Sequence, residues 1–143
     1  MQVSEVLKTK GDMVFTASPG DTVGAIAAML FARKVGALVV TRGEREVVGI
    51  VSERDIVRVV AESGAAGLAC PVEECMTRDV IFAEPSETVD ALLERMTDRR
   101  ARHLPVCVDH HLVGIVSIGD LVKAKIAETL AEAEGIRAYI SAA

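Results

Sequence analysis

Apolar positions along the chain fall into two sets that follow the same order. Val23, Ile26, Ala27 and Leu30 recur at i, i+3, i+4 and i+7, the period of an amphipathic helix, and Val89, Leu92, Leu93 and Met96 keep that spacing. The turn Ser18-Pro19-Gly20-Asp21-Thr22 ends in helix-capping residues before the first of these helices, and Gly36 is expected to stop it. Short apolar runs follow each helix: Ala37–Val40 and Val47–Val51, then Leu104–Val108 and Leu112–Val116. Their β-branched content and unbroken hydrophobicity predict strands buried on both faces. Thr41–Glu46 reads as a polar turn and Asp109-His110-His111 as a tight one. Ser52 starts a helix with Ile56, Val57 and Val60 on one face. A longer helix starts near Ser117; Gly135 is expected to break it, leaving a last stripe of Ile136, Tyr139 and Ile140. Short helical pieces at Val3–Leu7 and Val72–Met76 open the two sets, each followed by an extended segment, Met13–Thr16 and Val80–Phe82. Ser63-Gly64-Ala65-Ala66-Gly67, closed by Pro71, reads as a flexible join.

The parallel order is a true repeat. Pro19-Gly20-Asp21-Thr22-Val23 returns as Pro85-Ser86-Glu87-Thr88-Val89 (85 − 19 = 66), and Gly49-Ile50-Val51-Ser52 as Gly114-Ile115-Val116-Ser117 (114 − 49 = 65). The one-residue slip falls in the turn between the two strands, where length changes are best tolerated. Each copy reads β-α-β-β-α. The fold class is therefore α/β, with duplicated units packed sheet to sheet about a pseudo-twofold axis. The expected organisation is repeat 1 over 1–62, a linker over 63–71, repeat 2 over 72–125 and a helical extension over 126–143. A unit of some 60 residues buries only roughly 60% of its unfolded surface, so each copy is expected to need the other.

Composition narrows the function. Half of the 143 residues are apolar, with one Tyr, three Phe and no Trp, so the core rests on Val, Ile, Leu, Ala and Met. A net charge of −5 argues against a nucleic-acid binder, which needs a clustered basic excess. No apolar run approaches the roughly 20 residues of a membrane span, and no secretory signal is visible, so no membrane association is expected. Three cysteines without paired spacing suit a reducing cytoplasm.

The chemistry concentrates where each second strand meets the following helix: Gly49-Ile50-Val51-Ser52-Glu53-Arg54-Asp55 and Gly114-Ile115-Val116-Ser117-Ile118-Gly119-Asp120. Ser-x-x-Asp is close to a capping box, and capping alone would account for both residues. The same geometry, a strand end feeding a helix start, is where α/β folds place ligands and anions, and a carboxylate there can accept both hydroxyls of a ribose. Spacing alone leaves both readings open.

The duplicated frame resembles a tandem pair of cystathionine-β-synthase-type (CBS) domains. The second copy is the closer match, through Arg102-His103-Leu104-Pro105-Val106 and Leu112-Val113-Gly114-Ile115-Val116-Ser117-Ile118-Gly119-Asp120-Leu121-Val122-Lys123. The first matches through Gly36-Ala37-Leu38-Val39-Val40 and Val48-Gly49-Ile50-Val51-Ser52-Glu53-Arg54-Asp55. The resemblance runs over residues 3–125. It implies a regulatory module with two clefts that bind adenosine-containing ligands: AMP, ADP, ATP, S-adenosylmethionine or NAD. It also implies Asp55 and Asp120 as ribose acceptors, with Ser52 and Ser117 beside them. Adenine would meet the lead-in segments at Thr16 in one copy and Ile81 and Phe82 in the other. Ala37, Leu38, Leu104 and Pro105 would form the opposite wall.

Among the cations, Arg102 and His103 lie at the mouth of a strand, where the resemblance places phosphate contacts; the planar fork of Arg suits a phosphate. Arg99 and Arg100 are better read as favourable charges at a helix C-terminus. Arg54 and Arg58 either reach phosphate or are solvated. The copies differ at Gly36 against Arg102 and at Arg54 against Gly119, so the clefts are expected to differ in affinity. Cys70, Cys75 and Cys107 lack metal-type spacing, Cys107 being read as core, and His110-His111 as an exposed turn. No nucleophile–base pair and no phosphate-binding Gly-rich loop is legible, so no catalytic cofactor and no enzyme activity is expected. The resemblance implies a ligand-sensing module, expected as a homodimer, that signals through that dimer or through a further protein; the alternatives are a purely structural dimerisation module or a nucleotide hydrolase.

Overall fold

The computed structural model describes residues 1–11, 13–43 and 46–142. The chain forms two compact units that do not follow chain order. One unit comprises Met1–Asp12, Phe82–Cys107 and Gly114–Ala143, and the other Met13–Ile81 and Val108–Val113. The segment that opens each sequence copy therefore folds into the unit built on the other copy.

The unit over Met13–Ile81 begins with β1 (Thr16–Ala17), which pairs in parallel with β2 (Ala37–Arg42) through Thr16↔Val39 and Ala17↔Val40. β2 runs antiparallel to β3 (Glu46–Ser52), with a register shift between Val40 and Thr41. Helix α2 (Val23–Arg33) starts at Thr22, whose hydroxyl accepts the Ala25 N–H at 3.1 Å. Helix α3 (Glu53–Ser63) follows Ser52. Ala17, Ile26, Leu30, Leu38, Val40, Val51, Val72 and Met76 close one apolar core. Val72 and Met76 belong to the opening segment of the second copy. They are held there by a backbone exchange: Val72 N–H to Asp21 O (2.7 Å), Glu73 N–H to Pro19 O (3.2 Å) and Val23 N–H to Cys70 O (2.9 Å).

The other unit repeats the arrangement with α1 (Val3–Lys10) in the place of that segment. Val3 N–H donates to Glu87 O (2.9 Å), Ser4 N–H to Pro85 O (2.9 Å) and Val89 N–H to Met1 O (3.0 Å). Helix α4 (Val89–Arg99) is capped by Thr88, which accepts the Ala91 N–H at 3.1 Å. β4 (His103–Val108) and β5 (His111–Ser117) form a hairpin, and α5 spans Ile118–Ala142. The counterpart of β1 shrinks to a single parallel bridge, Ala83 to Val106. It matches the Ala17↔Val40 pair at an offset of 66 on both sides (83 − 17 and 106 − 40). Glu53 N–H to Gly36 O is matched by Ile118 N–H to Arg102 O, at offsets of 65 (118 − 53) and 66 (102 − 36). The slip thus lies in the hairpin, as the sequence indicates.

Several expected boundaries move. Gly36 does not end α2: Lys34 takes the left-handed conformation (φ 55°), and Arg100 does the same after α4 (φ 52°). Gly135 does not break the last helix, since α5 runs unbroken through it; with nothing within 4 Å of where its Cβ would lie, it is only a weak helix former. The flexible join is a 3-10 turn over Gly64–Ala69, with Gly67 buried against Val59 and Ser63. The second opening helix is a single 3-10 turn, Val72–Glu74. In the expected turn Thr41–Glu46, Thr41, Arg42 and Glu46 are strand, while Glu44 and Arg45 lie outside the described residues. The second hairpin turns on Asp109 and His110 alone, both at positive φ (49° and 65°), the form that matches strand twist. His111 is strand, its ring Nδ1 2.8 Å from Asp109 O.

Candidate functional site

Both strand-to-helix junctions build the capping arrangement. At the first, the Ser52 N–H and hydroxyl lie 2.9 and 3.3 Å from Asp55 Oδ2, completing a capping box. Asp55 is only 6% exposed. Its Oδ1 is 3.0 Å from the Arg58 guanidinium, one helical turn on, and the same Arg58 nitrogen donates to Cys75 O at 3.0 Å. Arg58 therefore ties the carboxylate to the opening segment of the second copy.

At the second junction, Ser117 N–H donates to Asp120 Oδ2 (2.9 Å) and Asp120 N–H donates to Ser117 Oγ (3.1 Å). The cation here is Lys10, at the end of α1. Its ammonium donates to Asp120 Oδ2 at 2.6 Å and to Ile115 O at 2.7 Å. Burial pushes the Asp120 carboxyl upward, but the hydrogen bonds from Lys10 and Ser117 outweigh it and leave the group below its ordinary value. The hydrogen bonds that reach this carboxylate from the described residues fall on Oδ2. The side chain is 25% exposed, so Asp120 is the more open of the two acids.

The glycines of the two motifs explain how these segments fit. A Cβ on Gly49 would fall 2.8 Å from Met76 Cγ and 3.0 Å from Thr77 O. Thr77 and Ile50 exchange backbone hydrogen bonds at 2.9 and 3.0 Å. Gly114 sits in the same way beneath Leu7. In both copies glycine is needed because a foreign segment lies directly on the strand.

The other sequence-selected residues divide by exposure. Ala37, Leu38, Leu104 and Pro105 are buried; Leu38 and Leu104, at 0% exposure, are core rather than open wall. Thr16, Arg54, Arg102, Gly119 and Phe82 are exposed, and His103 and Ile81 are half-buried. Arg102 contributes its carbonyl to the start of α5. The Phe82 carbonyl accepts from Arg95 at 2.8 Å. In the first copy, Arg33 lies over the Phe15 ring, 4.6 Å from its centroid. Cys107 is half-buried rather than core; burial raises both its thiol and that of Cys75, which favours the protonated form. No group of three or more His, Cys, Asp or Glu among the described residues is placed to hold a metal ion.

Two cations escaped the sequence reading. Lys10 lies 110 residues from its acid, so no local spacing announces it. Arg95 pairs with Glu87 and holds the Phe82 carbonyl; it lowers the Glu87 carboxyl, mainly through their hydrogen bond. Glu87 also accepts the Glu84 N–H at 3.0 Å, closing the turn before α4. The signal that was available is its position, three residues after Glu84, in the turn that Asp21 closes in the first copy.

The family model described as "CBS domain" matches residues 3–62 and 72–127. A CBS domain-containing protein, CBSX3, mitochondrial, from Arabidopsis thaliana is 35% identical over 146 residues, covering 96% of this chain and 71% of that protein. The crystal structure of a CBS-domain containing protein from Agrobacterium tumefaciens superposes with a TM-score of 0.85 at 44% identity, covering 87% of this chain and 99% of that one. The CBS domain pair of protein MJ0100, solved in complex with 5′-methylthioadenosine and S-adenosyl-L-methionine, gives a TM-score of 0.80 at 26% identity, covering 90% and 98%.

Proposed function

Because this chain belongs to the CBS domain family and carries the domain twice, we propose that it is a regulatory module that senses adenosine-containing ligands and signals through a homodimer or a further protein. The observation that carries the reading is Asp120. It stands where a strand ends and a helix begins, is partly exposed, and is capped through one oxygen, so Oδ1 remains an acceptor for a sugar hydroxyl. A buried hydrogen bond to a charged group contributes about 1.5–3 kcal/mol, enough to orient a ribose. Ser117 and Gly119 stand beside Asp120, and the exposed side chain of Arg102 supplies a cation for phosphate. The binding of 5′-methylthioadenosine and S-adenosylmethionine by the MJ0100 pair supports the ligand class. AMP, ATP and NAD present the same nucleoside. In the first copy Asp55 is the matching acid, but it is more buried and both its oxygens are engaged, so weaker binding is expected there.

The capping geometry favours one competing reading, a structural dimerisation module whose two acids only cap helices. Thermal unfolding with AMP, ATP, NAD and S-adenosylmethionine separates the two. A ligand at a hundredfold excess over its dissociation constant adds about 2.7 kcal/mol to the folded state. At least one of the four is expected to raise the melting temperature in the parent chain and not in Asp120→Ala. No shift with any of them leaves the structural reading. Self-association is expected to use the exposed apolar residues of α3 and α5, and the free cysteines suit the reducing cytoplasm.

A further inference from the structure

In both units the helix-start acid is tied by a cation to a backbone carbonyl, and in both the tie fastens an opening segment. In one unit the cation comes from the helix (Arg58) and the carbonyl from the opening segment (Cys75). In the other the cation comes from the opening segment (Lys10) and the carbonyl from the strand (Ile115). The two ties are built from different residues, so repetition of sequence alone does not explain them.

Oxygen-by-oxygen accounting shows what the second tie does. Each carboxylate oxygen has about two acceptor sites. Asp120 Oδ2 spends both, on the Ser117 N–H and on the Lys10 ammonium. A vicinal diol lying side-on against a carboxylate donates one hydroxyl to each oxygen. Such a ligand needs a site on Oδ2. The Ser117 N–H is fixed in the backbone cap, whereas the Lys10 ammonium sits on a flexible side chain and is the group that can leave.

We propose that Lys10 is a latch on Asp120: a ligand that seats its diol across this carboxylate displaces the ammonium from Oδ2, and the last turn of α1 loosens with it. The latch rests on the ribose reading of Asp120 given above. Its reach follows from the chain path. Leu7 anchors the body of α1 in the interior, so release affects Lys8 to Gly11. The chain enters the other unit at Met13. Ligand binding is thereby coupled to the segment that joins the units, which a binding module requires if it is to signal.

The test uses 5′-methylthioadenosine, whose uncharged 5′ group gives Lys10 no phosphate to hold. Lys10→Met is expected to bind it about two- to fivefold more tightly than the parent chain, the span of an exposed ion pair, and Lys10→Arg to restore parental affinity. Saturating the parent chain with the probe is expected to speed amide exchange over residues 8–11, an effect absent in Lys10→Met. Unchanged or weaker binding by Lys10→Met, or slower exchange in that segment, overturns the latch. Asp120→Asn separates the two levels. If it binds the probe as the parent does, the ribose reading fails; if it loses binding while Lys10→Met matches the parent, only the latch fails.

Discussion

Leu7 covers Gly114 so closely that a Cβ on the glycine would lie 2.7 Å from Leu7 Cδ2 and 3.1 Å from Cδ1. Leu7 is itself buried and cannot swing away freely. Overpacking a filled interior costs about 1–3 kcal/mol, and Gly114→Ala is expected to fall in that range. Removing a buried leucine costs about 2–5 kcal/mol, so Leu7→Ala is destabilising too. The double variant is expected to be less damaged than the two losses combined, because the new methyl fills part of the vacated space. Urea unfolding of the four chains measures this, and strict additivity would contradict the contact.

Gly135 gives the opposite outcome. It sits inside α5 with open space where a side chain would go. Gly135→Ala is expected to stabilise by about 0.8–1 kcal/mol, the difference between the two residues in a helix interior. A drop in the denaturation midpoint would mean that the helix does not run straight through this position in solution.

Acid should weaken the unit that holds α1, α4 and α5 through two pairs. Glu87 and Asp120 both have carboxyls below their ordinary values of 4.5 and 3.8, held down by Arg95 and by Lys10 with Ser117. A carboxyl depressed in the folded state contributes its full stability above the unfolded value and loses it as pH falls through the folded one. Melting temperature is therefore expected to be level near about pH 6 and to fall below about pH 4. Glu87→Gln is expected to start lower and fall less steeply; an equal acid slope would remove Glu87 from the account.

Along α5, Ile118, Val122, Ile126, Leu130, Ile136 and Ile140 are all exposed. The spacing puts them on one side of the helix, beside the buried Leu121. An exposed apolar stripe of this kind fits the self-association proposed above. Ile126→Glu with Leu130→Glu is expected to lower the molar mass seen by sedimentation from that of the proposed dimer to that of a monomer, with helical content unchanged. An unaltered mass would move the interface elsewhere.

Legibility in the sequence followed the range of the interaction. Helices α2 and α4 were readable because cap and apolar stripe lie within a dozen residues, and Thr22 and Thr88 are both observed accepting the expected N–H. The Ser-x-x-Asp junctions were readable for the same reason. Helix ends were not, since Lys34 and Arg100 adopt a conformation that glycine usually takes, and nothing in their chemistry announces it. Periodicity predicts the stripe Ile56, Val57, Val60, but Val57 and Val60 are exposed, because it reports an apolar face and not what covers it. The cation on Asp55 lies three residues along a helix and was within reach of spacing, whereas the cation on Asp120 comes from the far end of the chain.

The exchange of opening segments bears on whether the chain can be divided. A lone half, cut between its two copies, would lack the piece that roofs its own glycine-bearing strand and would have to borrow it from a second molecule. The two copies are thus one folding unit on the chain, because each is finished only by residues that the other one carries.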